Sequence, residues 1–402
     1  DSADFSGATA AFERAIAADP TDASALHGLG RLHLSANEVP PALILLEQAA
    51  TLLVPEDNSA GTQALDVRRD LAWAYYRVGR YDLAAPVFAS LPGHQPFARL
   101  LAAFGDRSGY LLPSDFAGVE IPLAATDPVP FVEVEVGSGS YLFVVDTGAG
   151  DVVLDTGLAR QLELPFFGER EVTLAGGSRG VIGHARLPRL RIGSLEVRDL
   201  PVEVADVRRV APQLHGFIGT NFLARFQATF DLANGRLLLR PRDSDYHPSG
   251  EVDSAGFRLF DDHVLLAPGS LEGYATIFAV ASGIAGAAVV VPQSSMRQAG
   301  LERALRPGEA IAGVGPGGSH QLLPFTASEL RLGSATRQDV EGLAGPFYPD
   351  LEWRYGFRVG GVVAHDFLRG FRWTIDWTRM RLWFEPATGG ARDQSTPDSD
   401  LS

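Results

Sequence analysis

The sequence predicts a multidomain protein, with an N-terminal all-α region of helical repeats followed by an all-β region of two similar lobes. Three observations predict this fold class: helical periodicity in the first hundred residues, strand-like alternation after them, and an internal repeat of the strand-rich part. A chain of 402 residues, at about 150 residues per domain, corresponds to two or three domains. We assign residues 1–107 to the helical repeats, 108–250 to the first lobe with its entry linker, 251–386 to the second lobe and 387–402 to a disordered tail.

The composition excludes several classes of protein. The net charge is −15 with no basic block, which argues against nucleic acid and anionic membranes as partners. There is no cysteine, and all 34 basic residues are arginine, which excludes thiolate, Schiff-base and phosphate-loop lysine chemistry. No apolar run is long enough to predict a membrane span. The histidines show no metal-ligand spacing, so we expect neither a metal nor another cofactor.

The first hundred residues repeat a helical pattern of small and large apolar side chains. Ala8, Phe12 and Ala15 share a helical spacing that returns 34 residues later, over residues 42–49, and a third unit spans residues 71–88. Small residues let two helices approach closely while large ones fill the gap. The pattern resembles the tetratricopeptide repeat. This resemblance implies a concave surface that docks a protein client; the alternative is a helical cap on the domain that follows.

The strand-rich region contains an internal duplication. Three pairs of segments align: 141–148 with 276–283, 190–194 with 330–334, and 216–223 with 361–368. The offsets of 135, 140 and 145 residues increase in chain order, as loop insertions would produce. Two such lobes are expected to pack about a pseudo-twofold axis with a cleft between them.

One motif in the first lobe points to chemistry, the run Val-Val-Asp-Thr-Gly at 144–148. An apolar strand delivers an aspartate into a tight turn, where glycine permits the backbone geometry and the threonine hydroxyl can lock the turn against a partner. An apolar-apolar-glycine segment follows at 217–219. Together they resemble the retropepsin and pepsin clan of aspartic peptidases over residues 128–386. The resemblance implies an all-β two-lobed aspartic-peptidase fold joined to the tetratricopeptide-like helical repeats.

The resemblance also implies an aspartic-type endopeptidase, in which two aspartates share a proton and activate a water that attacks a peptide bond. Asp146, supported by Thr147 and Gly148, is the expected aspartate of the first lobe. In the second lobe, Ala281 stands where the other aspartate is expected. Because general acid or base catalysis is typically worth about 10² to 10⁴ in rate, hydrolysis by this chain is expected to be severely weakened.

The missing aspartate leaves alternatives open. Ser282 and Gly283 keep the family pattern after Ala281, so either the second lobe has lost catalysis naturally, leaving a peptide-binding pseudo-peptidase, or Ala281 is a deliberate substitution in an active enzyme. A third alternative pairs two chains through their first lobes, each giving Asp146. We expect a monomer with a peptide or protein substrate. The composition suggests a bacterial protein, for which we favour a periplasmic or secreted location.

Other acidic residues are expected to be structural. A second Asp-Thr-Gly begins at Asp155, where the aspartate or the threonine is expected to cap a short helix over residues 158–162. Asp366 follows the second lobe's apolar-apolar segment and is interpreted as a locally bonded turn residue. Asp231 and Asp376 recur at matching positions before turns and are interpreted as strand-end caps.

Two glycine-rich segments are candidates for substrate-binding hairpin tips. Gly176, Gly177 and Ser178 lie in the first lobe, and Gly313 and Gly315 in the second. The first is interpreted as a flap, since closure over a peptide changes backbone angles that glycine accommodates; the alternative is an ordinary surface hairpin. These segments also fit a serine-nucleophile and a dinucleotide pattern, both of which require a following helix that the sequence does not predict.

Overall fold

The helical region forms the N-terminal part of the computed structural model, which describes residues 3–53, 61–173, 179–209, 211–248, 252–315, 318–346 and 351–387. The helices of this region are α1 (Phe5–Ala18), α2 (Ala23–Ser35), α3 (Val39–Leu52), α4 (Gly61–Arg77), α5 (Tyr81–Ala89) and α6 (Gln95–Ala102). Among the described residues, none of the helices is both long and apolar enough to cross a membrane.

Aspartate caps begin the first two helices. The Asp4 carboxylate accepts a hydrogen bond from the Gly7 amide at 2.8 Å. The Asp22 carboxylate accepts from the amides of Ser24 and Ala25 at 2.9 and 3.0 Å. These bonds satisfy amide groups that have no partner within the helix.

Small residues mark the places where these helices approach closely. Ala42, Ala49 and Ala72 are fully buried. A Cβ on Gly30 would lie 3.0 Å from the side chain of Leu46, so the second and third helices pack closely here and a larger residue would require Leu46 to shift. The repeated small and large residues of the sequence therefore correspond to helix–helix contacts.

The first lobe follows the helices. Its elements are β1 (Val119–Pro122), β2 (Phe131–Val136), β3 (Gly139–Val145), β4 (Val152–Asp155), α7 (Thr156–Gln161), β5 (Phe166–Thr173), β6 (Arg179–Ile192), β7 (Leu195–Ala205), β8 (Gly216–Ile218), α8 (Thr220–Leu223), β9 (Phe226–Asp231) and β10 (Arg236–Pro241). Seven of these strands form one sheet in the order β2-β3-β8-β4-β7-β6-β5.

The second lobe repeats this arrangement. Its elements are β11 (Asp253–Gly256), β12 (Arg258–Phe260), β13 (Val264–Leu271), β14 (Tyr274–Val280), β15 (Val289–Val291), α9 (Gln293–Gln298), β16 (Ile311–Gly315), β17 (Gly318–Leu332), β18 (Ala335–Ala344), β19 (Val359–Val363), α10 (His365–Leu368), β20 (Phe371–Asp376) and β21 (Arg381–Pro386). Its sheet has the order β12-β13-β14-β19-β15-β18-β17-β16. The last seven strands in this order correspond one by one to the seven strands of the first lobe's sheet. The strand order therefore has the twofold repetition that the duplicated segments predict.

A third sheet joins the lobes. Its order is β1-β10-β9-β20-β21-β11, so each lobe contributes three strands and β9 pairs with β20 at the centre. The hydroxyls of Thr229 and Thr374 lie 2.7 Å apart across this central pair. The rings of Phe230 and Trp373 stack beside them with centroids 4.1 Å apart. The pseudo-twofold axis therefore passes between these strands, and burial of aromatic side chains holds the two halves together.

The observed elements refine the expected boundaries. The last helix of the N-terminal region ends at Ala102, and the last strand ends at Pro386. The structure describes no residue after 387, so the predicted disordered tail lies outside the described residues. The division of the chain at residues 107 and 250 stays a prediction.

Candidate active site

The structure brings Asp146 and Ala281 to equivalent positions on opposite lobes. The Asp146 amide, directly after β3, donates to the Ile218 carbonyl of β8 at 3.0 Å. The Ala281 amide, directly after β14, donates to the Val363 carbonyl of β19 at the same distance. Both residues therefore leave a central strand beside the parallel strand that pairs with it. We call residues 146–151, between β3 and β4, the first loop and residues 281–288, between β14 and β15, the second loop.

The two loops are in contact through their glycines. A Cβ on Gly148 would lie 3.0 Å from the Cβ of Ala281, and a Cβ on Gly283 would lie 2.3 Å from the Asp146 carboxyl carbon. Each glycine therefore lies against the residue of the other lobe, and a side chain at position 283 would displace the Asp146 carboxyl group. Gly148 is exposed and Asp146 is half-buried, so solvent reaches the boundary between the lobes at this point.

Thr147 and Ser282 lock the loops together with reciprocal hydrogen bonds. The Thr147 amide donates to the Ser282 hydroxyl, and the Ser282 amide donates to the Thr147 hydroxyl, each at 3.0 Å. The two hydroxyls donate in turn to main-chain carbonyls of the opposite lobe, Thr147 to Val280 and Ser282 to Val145. Both side chains are buried. Four hydrogen bonds therefore tie the two loops to each other, and the threonine hydroxyl lies in the contact.

The Asp146 carboxylate receives amide hydrogen bonds from both lobes. Its Oδ1 accepts from Gly148 at 2.7 Å and from Gly283 at 3.0 Å. Burial raises the pKa of Asp146, while these two hydrogen bonds and the positive charge of His263 act in the opposite direction without cancelling the rise. A carboxyl of raised pKa that reaches solvent is suited to exchange a proton with a bound water.

A histidine–aspartate pair that the sequence analysis missed lies against the first loop. A Cβ on Gly150 would lie 2.9 Å from Asp262 Oδ2 and 3.1 Å from His263 Nδ1. The His263 ring is bonded through Nδ1 to the Asp262 carboxylate. Burial lowers the pKa of His263, but the charge and hydrogen bond of Asp262 outweigh it and raise the pKa to about 9. No local motif marks this pair, because it reaches the first loop only through the packing of one lobe on the other.

Asp151 ends the first loop in a buried hydrogen-bond network. The hydroxyls of Tyr76 and Tyr110 both donate to its Oδ1 at 2.6 Å. The Asn221 amide group donates to the same oxygen at 3.1 Å. The residue is 3% exposed, and burial together with the charge of Asp262 raises its pKa above the ordinary value. The helical region thus binds directly to the first loop through Tyr76.

The remaining acidic candidates have structural partners. Asp155 caps α7, which spans residues 156–161 rather than the expected 158–162, and its carboxylate accepts from the Gly157 amide at 2.9 Å. Asp366 pairs with an arginine of its own turn at 3.2 Å. Asp231 and Asp376 end β9 and β20, and each pairs with an arginine a few residues on at 2.8 Å. Their expected structural roles agree with these contacts.

The two candidate hairpins belong to equivalent strand pairs, β5–β6 and β16–β17. Gly176, Gly177 and Ser178 lie outside the described residues. Gly313 and Gly315 lie within β16, where Gly315 pairs with Gly318 next to the tip and Gly313 pairs with His320 two positions further from it. A substrate-binding role for all five residues stays a prediction.

Within the described residues, no group of three or more His, Asp or Glu side chains is arranged to hold a metal ion. The side chains assembled around the lobe boundary are instead carboxylates, one imidazole and hydroxyl groups.

Comparison with known proteins identifies the first lobe. The model of a family described as aspartyl protease matches residues 132–222, from β2 to α8, and so includes the first loop. A comparison with curated proteins finds no match. The chain therefore contains an aspartic peptidase-like domain within a fold of N-terminal helices and an all-β region. The tetratricopeptide resemblance of the helices stays a prediction.

Proposed function

We propose that this chain is an aspartic peptidase scaffold that binds an extended peptide between its lobes and lacks one of the two acids needed to cleave it. The observation that carries this proposal is the equivalence of Asp146 and Ala281, which make the same main-chain hydrogen bond on opposite lobes. As the chain stands, it is a peptide-binding pseudo-peptidase. Its helices have the role of docking a protein client.

The parent reaction requires both positions to carry a carboxyl group. The ionised carboxylate takes a proton from a water, whose oxygen attacks the peptide carbonyl carbon, while the protonated partner donates its proton to the carbonyl oxygen. Two carboxyl groups this close cannot both ionise easily, so the pair titrates in two separated steps.

A lone Asp146 supplies only one half of this cycle. The amides of Gly148 and Gly283 both donate to its Oδ1, and position 281 holds no second carboxylate. The methyl group of Ala281 neither polarises a carbonyl nor stores a proton. Loss of one acid–base group is expected to lower the rate by about 10² to 10⁴.

Restoring the second acid tests the proposal. The Ala281→Asp variant is incubated with a mixed peptide library between about pH 3 and pH 7, and the products are identified by mass spectrometry. We expect products from this variant that disappear in the Ala281→Asp/Asp146→Asn double variant and are absent from Ala281→Asn, which adds a side chain of similar size without an acid. Equal products from all variants, or none from Ala281→Asp, would contradict the proposed scaffold.

A further inference from the structure

A cavity of about 740 Å³ lies where the helical region meets the second lobe and the sheet that joins the lobes. Phe5 of α1 lines it, together with Phe257 and Ile277 of the second lobe and Trp377, which follows β20. None of the described residues that line it belongs to the first or the second loop. The cavity is therefore separate from the candidate active site.

The cavity has a buried apolar floor and an exposed rim. Phe257, Ile277 and Trp377 are buried, and the rings of Phe257 and Trp377 meet edge to face with centroids 5.4 Å apart. Gly256 and Thr378, which also line the cavity, are exposed. Concave sites with a mostly apolar lining and a few polar groups are typical of small-molecule binding. The cavity therefore has the size and the lining to hold a small organic molecule.

The charged part of the lining is mostly positive, although the chain as a whole is acidic. Arg242, Arg258 and Arg379 line the cavity together with one acidic residue, Glu38, whereas the net charge of the chain is −15. Glu38 is exposed, and its carboxylate is already bonded to Nδ1 of His33 at 2.6 Å. The electrostatics of the cavity thus favour an anion over a cation.

Arg242, which directly follows β10, is held in place by neutral groups. Its Nη1 donates to the Ala224 carbonyl at 2.8 Å, and its own carbonyl accepts from the Thr378 hydroxyl at 3.0 Å. Within the described part of the chain it forms no ion pair. Burial and the positive charge of Arg225 lower its pKa. A half-buried guanidinium without a counter-charge carries a desolvation cost that a bound anion would offset.

Arg258 of β12 is fixed in the same way on another side of the cavity. Its Nη1 donates to the Leu32 carbonyl at 3.1 Å and to the Ser35 hydroxyl at 2.9 Å. Its guanidinium lies over the Phe5 ring at 4.1 Å from the centroid. Burial lowers its pKa, against the charge of Glu38. Two guanidinium groups from distant parts of the chain are thus held by neutral hydrogen-bond partners around one cavity.

We propose that this cavity binds a small organic anion, a carboxylate attached to an apolar body, with Arg242 and Arg258 receiving the carboxylate and the aromatic floor receiving the body. Guanidinium groups bind carboxylates through parallel N–H donors, and removal of the apolar body from water adds to the affinity. Arg379 already has a counter-charge in Asp376, at 2.8 Å, and plays a smaller part. The inference is independent of the proposed function, because it requires neither a peptide nor cleavage.

The first test measures binding to the unchanged chain by isothermal titration calorimetry at about pH 7, where carboxylates are ionised. The probes are octanoate, octanol with the same body and no charge, and acetate and inorganic phosphate with a charge and little or no body. We expect saturable binding of octanoate to one site and at least about tenfold weaker binding of the other three. Octanol binding as tightly as octanoate, acetate or phosphate doing so, or no saturable binding of octanoate would each overturn the proposal.

The second test locates the site with a pair of arginine variants. Arg242→Gln keeps a polar side chain without the charge and is expected to weaken octanoate binding at least about tenfold. Arg240→Gln is the control, since Arg240 is also half-buried but lies over the Tyr246 ring and outside the cavity lining. Its affinity for octanoate should stay within about twofold of the unchanged chain. Equal affinity in all three proteins, or an equal loss in both variants, would overturn the site.

Discussion

Ala281 is 7% exposed and packs in an apolar cluster that includes Phe260 and Tyr355. Its lobe keeps the hydrogen bonds that position a second aspartate, since Ser282 and Gly283 bind the first loop. The departure from the expected pattern is therefore confined to one side chain. An apolar residue at this position stabilises the boundary between the lobes because it avoids burying a second carboxylate next to Asp146.

Glu203 gives a residue-scale prediction about pH. Burial, with the charges of Asp151 and Asp262, raises its pKa from 4.5 to about 7, against the opposing charge of Arg170. The folded protein therefore holds this proton to higher pH than the unfolded chain, and stability is lost as pH rises from about 4.5 to about 7. The Glu203→Gln variant lacks this loss.

The measurement is urea unfolding from about pH 4 to pH 8. The difference in free energy of unfolding between Glu203→Gln and the unchanged chain is expected to be small at about pH 4. It increases with pH in favour of the variant and levels off above about pH 7. Glu171→Gln, at an exposed position of the same sheet, is the control and should show no such rise. A difference for Glu203→Gln that stays constant with pH would contradict the burial of this carboxyl.

At the scale of elements, the contact between α4 and the first loop is the feature that local sequence pattern could not reveal. The helical periodicity of α4 is evident in the sequence, yet nothing near Tyr76 indicates that its hydroxyl binds Asp151 in another domain. The expected consequence is that Tyr76→Phe, which leaves Asp151 with one donor fewer, lowers the free energy of unfolding by about 1 to 2 kcal/mol.

The neighbouring tyrosine provides a matched control. Tyr75 donates to Glu47 at 2.6 Å on the exposed side of the same helix. Exposed pairs of this kind contribute little, so Tyr75→Phe should change the free energy of unfolding by less than about 0.5 kcal/mol. Chemical denaturation of both variants decides the matter: equal effects would mean that Tyr76 does not anchor the helices to the first loop.

Other elements were predictable because their signals are local. Asp155 was distinguishable from Asp146 because a helix follows Asp155, whereas a glycine turn follows Asp146. The repeated strand order was predictable because the duplicated segments recur in the same chain order and fall on equivalent strands. The His263 contact with the first loop was not, since it depends on how the lobes pack and both residues of the pair lie outside the duplicated motifs.

At the scale of the whole molecule, pseudo-symmetry and its breaking describe the protein. The lobes share one strand order, and Thr147 and Ser282 bind each other reciprocally across the axis. Two features break the symmetry: the alanine at 281 opposite Asp146, and the N-terminal helices, which bind Asp151 of the first lobe through Tyr76.

The most direct test of the central claim follows the Asp146 carboxyl carbon by NMR through a pH titration, in the unchanged chain, in Ala281→Asp and in Ala281→Asn. If an acid at position 281 would face Asp146, the Asp146 carboxyl group titrates in a single step in the unchanged chain and in the asparagine variant. The pKa of that step lies above the ordinary value of an aspartate. The aspartate variant then shows two coupled steps, one lower and one higher. An Asp146 titration that is the same in all three proteins would contradict the claim.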